Sequence, residues 1–187
     1  LLFHPTGELL TKGQWINGRP EGSFTYLTKA GEPMGEPSVI TQGTGTWTAY
    51  HHTGQIAETG RWALGLKVGE WKTFHDHGTL ESVVTSNQQG LKEGDYKRYY
   101  RDGTIEVEGE FKNNSRQGLW RFYYTNGQVA VEAGFVDSIR SGPWREWHWL
   151  SSPKVEGEYA NNTRSGVRKE YHNNGVISGT GTYTNGK

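Results

Sequence analysis

The feature that most constrains this chain is that it repeats itself. A turn glycine recurs as Gly7, Gly31, Gly54, Gly78, Gly103, Gly127 and Gly175, with Ser151 in the one remaining place, at steps of 23 to 25 residues. A second series runs Gly22, Gly45, Gly69, Gly94, Gly118, Gly142 and Gly166. An aromatic follows it two residues later as Phe24, Trp47, Trp71, Tyr96, Trp120 and Trp144, with Arg168 breaking the run. A period of this length makes each repeat one supersecondary unit that buries its apolar face only by stacking on its neighbours.

Each unit holds two turn signals. "TNG" at 125–127 and "RDG" at 101–103 read as two-residue hairpin turns of type I′, because Asn-Gly and Asp-Gly tolerate positive φ. A longer turn is marked by "NNSR" at 113–116, "DSIR" at 137–140 and "NNTR" at 161–164. The runs between turns alternate apolar and polar residues and are rich in aromatic and β-branched types, which is the pattern of strands. No segment has a helical period. The expected fold is therefore all-β: a single-layer antiparallel meander of about eight hairpins, forming an elongated twisted ribbon. It is read as one array over 1–187, with units near 1–23, 24–46, 47–70, 71–95, 96–119, 120–143, 144–167 and 168–187.

The register follows from the turns. Pairing Thr125 with Gln128 sets Tyr124 opposite Val129, Trp120 opposite Ala133 and Gly118 opposite Phe135. Pairing Lys112 with Gln117 sets Phe111 opposite Gly118 and Gly109 opposite Trp120. Both place Val107, Gly109, Phe111, Gly118, Trp120, Phe122, Val129, Val131 and Phe135 on one face, so two turns agree on the alternation. On that face each glycine is expected beside a ring of the neighbouring strand, the ring covering backbone that has no Cβ. The other face carries the ladder Tyr50, Phe74, Tyr99, Tyr123, Trp147 and Tyr171, with Glu106 and Glu108 on the same side.

Composition agrees with a thin sheet. Hydrophobic residues make up 32%, too few for a thick aliphatic core, while eight Trp and 27 Gly suit rings and turns. Twenty basic residues balance twenty acidic ones, which argues against nucleic acid as a ligand. The absence of Cys excludes disulfides and thiolate chemistry. No apolar run approaches the roughly 18 residues of a membrane span. The chain opens at Leu1, so its compartment is open: the cytoplasm is slightly favoured, and the periplasm or cell envelope is allowed.

"EGEFKNNSRQGLWRFYYTNGQ", residues 108–128, resembles a MORN repeat: acidic-Gly-x-aromatic, a turn, basic-x-Gly, then a strand. The Tyr-Tyr-x-Asn-Gly ending and the period are similar to the variant repeat of the YwqK-type antitoxin family. That resemblance implies hairpins in a single-layer sheet and a protein partner such as a cognate toxin, neutralised by direct binding. MORN arrays also imply two alternatives: a scaffold or membrane-associated module that contacts phospholipid, or a regulatory array of a larger enzyme. Three units depart from the pattern and are expected to be bulged or irregular. They are the second, with Pro33 and Pro37; the fourth, with an extra residue and "VVTSN"; and the seventh, with Ser151 and Pro153.

No catalytic or metal-binding constellation stands apart from the repeat. His4, His51, His75, His148 and His172 share one repeat position, so they lie about 10 Å apart, whereas zinc ligands lie about 2 Å from one ion. They are expected to be solvated residues flanking turns, and no metal or cofactor is expected. Glu108, Glu132 and Glu156 also recur, whereas an acid–base pair needs one special place. The chain is therefore read as not an enzyme. "GTGTW" and "GTGTY" are followed by no helix and are not phosphate loops. The residues left for binding are Tyr99, Tyr123, Trp147 and Trp149 as anchors, with Arg116, Arg140 and Arg164 at the rim. These arginines belong to a basic ladder that includes Lys67 and, slightly offset, Lys92.

Overall fold

The computed structural model describes residues 1–187 and is all-β, with no helix. The chain divides into two compact units, Leu1–Leu91 and Lys92–Lys187. In the first, β1 (Leu2–Phe3), β2 (Leu9–Ile16), β3 (Arg19–Tyr26) and β4 (Ser38–Ile40) pair in chain order. They are followed by β5 (Gly45–Tyr50), β6 (Ile56–Ala63), β7 (Leu66–Phe74) and β8 (Leu80–Ser86), again neighbour to neighbour. The second unit is an unbroken antiparallel meander of β9 (Lys92–Tyr99), β10 (Ile105–Lys112), β11 (Ser115–Tyr123), β12 (Val129–Val136), β13 (Ile139–Trp147), β14 (Pro153–Ala160), β15 (Thr163–Tyr171) and β16 (Ile177–Tyr183).

The turn types are the reverse of the sequence expectation. At 124–128 the Tyr124 carbonyl accepts from the Gly127 N–H at 2.9 Å, and the Tyr124 N–H donates to the Gln128 carbonyl at 2.8 Å. Only Gly127 takes positive φ, +81°; Asn126 does not. This is a three-residue loop, a type I turn closed by a left-handed glycine and a bulge, rather than a type I′ turn. The extra residue makes Tyr123, not Tyr124, the partner of Val129. The type I′ turns lie at the other end of each hairpin. Asn113 and Asn114 have φ of 49° and 68°, Asp137 and Ser138 50° and 66°, Asn161 and Asn162 50° and 64°. Lys112 accordingly pairs with Ser115, Phe111 with Arg116 and Glu110 with Gln117, two residues off the expected register.

That offset disappears halfway along the strand. Beyond the break, Glu108 pairs with Arg121 and Val107 with Phe122, as expected from the sequence. Two extra residues of β11 are absorbed around Gly118, whose φ is +66°. A shift of two residues preserves which face each side chain points to, so the expected core face is intact except for Val129, which the one-residue bulge after Phe122 sets opposite Tyr123 on the other face. The same break occurs between β2 and β3, β6 and β7, β12 and β13, and β14 and β15.

The two glycine series therefore exist for different reasons. A Cβ on Gly118 would meet nothing within 4 Å, so no ring covers it, contrary to expectation; its left-handed backbone is what calls for glycine. Gly109 is the opposite case. A Cβ there would lie 2.6 Å from Trp120 Cγ, because the indole lies flat on the glycine. Trp120 itself is 1% exposed, although no second layer packs over it. It is covered by Tyr96, Phe111 and Phe135, with ring centroids 5.7, 5.0 and 6.4 Å away, and its Nε1–H donates to the Glu110 carbonyl at 3.2 Å. With Val107 and Ala133 these residues form the core of the second unit. The first unit has its own ring cluster of Phe24, Tyr26, Trp47, Trp62 and Trp71.

Of the irregular repeats, the second behaves as expected: β4 is three residues long, and Pro33 makes only an isolated bridge to Leu27. The fourth closes after β8 with an ordinary turn, the Asn87 N–H donating to the Leu91 carbonyl at 2.8 Å. The seventh is regular. Ser151 adopts φ +67° in the glycine's place and keeps the turn hydrogen bonds, its N–H donating to the His148 carbonyl at 2.9 Å. Pro153 opens β14 opposite Trp147, a strand-end position that needs no ladder N–H.

Candidate functional site

The anchors and the rim arginines lie on opposite faces of the second unit. Tyr99, Tyr123 and Trp147 are half-buried at the ends of β9, β11 and β13, facing Ile105, Val129 and Pro153 across the hairpins. Their side is the carboxylate side. The Tyr123 hydroxyl donates to Glu108 Oε1 at 2.6 Å, and two repeats later the Tyr171 hydroxyl donates to Glu156 Oε2 at 2.7 Å. Burial, then the bond to Glu108, push the Tyr123 hydroxyl up to about 12. Glu132, between these, has Trp147 where the others have Tyr; it takes Arg121 Nε at 3.1 Å and Arg145 Nη1 at 2.6 Å instead. The recurring glutamates are thus spent on tyrosine and arginine partners of adjacent strands.

Trp149 stands apart from this ladder, at the tip of the β13–β14 turn. It is 48% exposed, and its neighbour Leu150 is 83% exposed. The corresponding tips are Arg101–Asp102, Thr125–Asn126 and Asn173–Asn174, all polar. The tip is held from the preceding turn: the Tyr124 ring lies 5.0 Å from the Trp149 ring, and Asn126 Nδ2 donates to the Trp149 carbonyl at 3.1 Å. Leu150 was not singled out from sequence; the signal is a pair of bulky apolar residues where every other turn in the unit is polar.

A second feature missed from sequence is the link between successive turns. The Tyr100 hydroxyl donates to the Tyr123 carbonyl at 2.5 Å, the Tyr124 hydroxyl to the Trp147 carbonyl at 2.7 Å, and His148 Nε2 to the Tyr171 carbonyl at 3.2 Å. In the first unit His4 and His51 do the same to Leu27 and Phe74, at 2.8 and 2.7 Å. These histidines are therefore not solvated turn residues, and His4 is 3% exposed. A carbonyl only accepts, so Nε2 carries the proton. The readable signal was that Tyr100 and Tyr124 fill two of the three gaps in the histidine series, Thr28 filling the other: both ring types end in a polar donor.

Arg116, Arg140 and Arg164 lie at the opposite edge, near the type I′ turns and on the Trp120 face. The Arg116 guanidinium is 4.7 Å from the Trp120 ring centroid and 5.4 Å from Phe135; Arg140 is 4.6 Å from Tyr159 and 5.7 Å from Trp144; Arg164 is 5.5 Å from Tyr183. Such contacts are worth about 0.5–1 kcal/mol each at exposed sites. Donating to the Tyr159 and Tyr183 hydroxyl oxygens holds the Arg164 guanidinium above its ordinary value.

What this arrangement defines is a class, a β-hairpin repeat protein with a ring-covered face, a carboxylate face and two turn-lined edges. Four of its hairpins, residues 67–88, 92–113, 116–137 and 164–185, match the family described as MORN repeat variant. Each match opens at a ladder cation, Lys67, Lys92, Arg116 or Arg164, and runs through one hairpin. MORN repeats generally mediate protein or membrane binding. No curated protein matches the chain.

Proposed function

We propose that this is a non-enzymatic binding protein that captures another protein by direct contact, and that it acts as an antitoxin or immunity protein of the YwqK type. The observation that carries the reading is the β13–β14 turn, which holds Trp149 and Leu150 out to solvent while Tyr124 and Asn126 fix it from behind. A bulky aromatic that is rigid before binding loses little entropy on docking, and tryptophan is enriched among the residues that dominate interfaces. The half-buried Tyr99, Tyr123 and Trp147 extend an aromatic surface behind that edge. Repetition also weighs against catalysis, since Glu108, Glu132 and Glu156 each hold a structural partner.

The test is a pull-down from the native host, followed by co-expression with each neighbouring open reading frame. The expected result is one neighbour that is toxic alone, harmless with this protein, and bound one to one. Trp149→Ala is expected to weaken that complex by about 2 kcal/mol, some thirtyfold, without changing the melting temperature. If no neighbour is toxic or bound, the antitoxin reading falls. Binding to anionic vesicles in place of any protein would favour a membrane-associated module.

A further inference from the structure

The Trp120 face of the second unit carries a row of cations that the chain itself does not neutralise. Lys92, Arg116, Arg140 and Arg164 each lie over at least one aromatic ring, and none is ion-paired. The contrast with the carboxylate face is sharp. There Lys97 and Arg121 meet Glu108, and Arg145 meets Glu132. Lys92 and Arg164 are exposed, and Arg116 and Arg140 are half-buried.

The row is also fixed in position. For Lys92, Arg116 and Arg140 the tip of the following type I′ turn grips the backbone of the cation from two sides, while Arg164 is held by one bond, its carbonyl accepting from the Gly186 N–H at 3.2 Å. The Asn114 N–H donates to the Lys92 carbonyl at 3.0 Å, and Asn114 Oδ1 accepts from the Lys92 N–H at 2.7 Å. Ser138 grips Arg116 in the same way, at 2.9 and 2.9 Å, and Asn162 grips Arg140 at 2.9 and 2.9 Å. Successive cations are two strands apart, about 9.6 Å.

We infer that this row docks an acidic polypeptide segment in the polyproline II conformation, with a carboxylate at every third residue. Three matches lead to that partner. Its charge is opposite to a row lacking internal counter-ions. Its turn of three residues advances about 9.3 Å, close to the spacing of the cations. Polyproline II segments pack on aromatic grooves, and here each cation is flanked by rings. The sheet twists by about 20–25° per strand, so one peptide engages two or three cations before the row turns away from it. This surface lies at the opposite edge from Trp149 and does not depend on the capture proposed there.

The experiment is fluorescence anisotropy of a labelled peptide of four Glu-Pro-Pro repeats, titrated with the full chain at low and at raised salt. Comparators are a peptide of equal composition with its glutamates grouped at one end, Lys-Pro-Pro repeats, oligothymidylate, and phosphatidylserine vesicles. The spaced acidic peptide is expected to bind saturably, about tenfold tighter than the grouped one, and to weaken as salt rises. Combining Arg116→Gln, Arg140→Gln and Arg164→Gln is expected to cost at least about tenfold, while Arg145→Gln and Trp149→Ala leave binding unchanged. Equal binding of the grouped peptide, or undiminished binding by a folded triple variant, overturns the proposal. So does stronger binding of the oligonucleotide or the vesicles. If the triple variant does not fold, the salt series and the peptide comparison on the unaltered chain decide alone.

Discussion

Gly109 and Gly118 sit nine residues apart in one hairpin and answer to different physics. At Gly118 a side chain has room, but an L-residue at φ +66° is strained. Gly118→Ala is expected to cost about 1–2 kcal/mol in urea unfolding. Gly109→Ala drives a methyl into the indole of Trp120 and is expected to cost about 1–3 kcal/mol. A double-mutant cycle separates the two. In a Trp120→Leu background the Gly109 penalty shrinks, whereas the Gly118 penalty does not. A second prediction at this scale concerns Tyr123, held at about 12 when folded against about 10 unfolded. A raised value in the folded state stabilises fully below pH 10, and that contribution is lost as pH rises through 12. Unfolding free energy should therefore fall between those values, and Tyr123→Phe should flatten the fall.

At the scale of the hairpin, the strands and their faces were legible and the turns were not. Alternation fixed the Val107, Trp120 and Phe135 face because parity survives an error of two residues. Turn type turns on a single residue of loop length, and "TNG" serves a two-residue type I′ turn and a three-residue bulged one alike. Conversely, Asn113–Asn114 and Asp137–Ser138 adopt the type I′ geometry with no glycine at all, so no glycine marked them. The candidate site divides the same way. Trp149 was visible as an aromatic at a degraded turn, and parity already set Arg116 on the Phe111 face, but which residue Arg116 sits opposite depended on the break at Gly118. Leu64 gives the prediction for this scale. It occupies the first central position of a type I′ turn at φ 51° and is 72% exposed, so it is strained and packs on little. Leu64→Asn is expected to stabilise by about 0.5–1 kcal/mol, read as a higher melting temperature.

At the scale of the molecule, each compact unit has a ring cluster of its own, Trp47, Trp62 and Trp71 in Leu1–Leu91 and Trp120 with Phe135 in Lys92–Lys187. Repeat arrays draw stability from nearest-neighbour contacts, so a block of adjacent hairpins with a complete core stands alone. Residues 92–187 expressed separately are expected to give a cooperative melt and a near-UV dichroism signal from Trp120 and Trp144; a flat signal would show that this core is not self-sufficient. The paired extra residues at Gly118, and at the matching place in four other hairpins, carry a consequence for how such a chain changes in descent. Insertions and deletions in even numbers can be taken up there without turning a strand inside out, while a single added residue would put its indole into water and its glutamate under the rings. Length should therefore drift in this protein by twos within strands, and odd changes should collect in the loops.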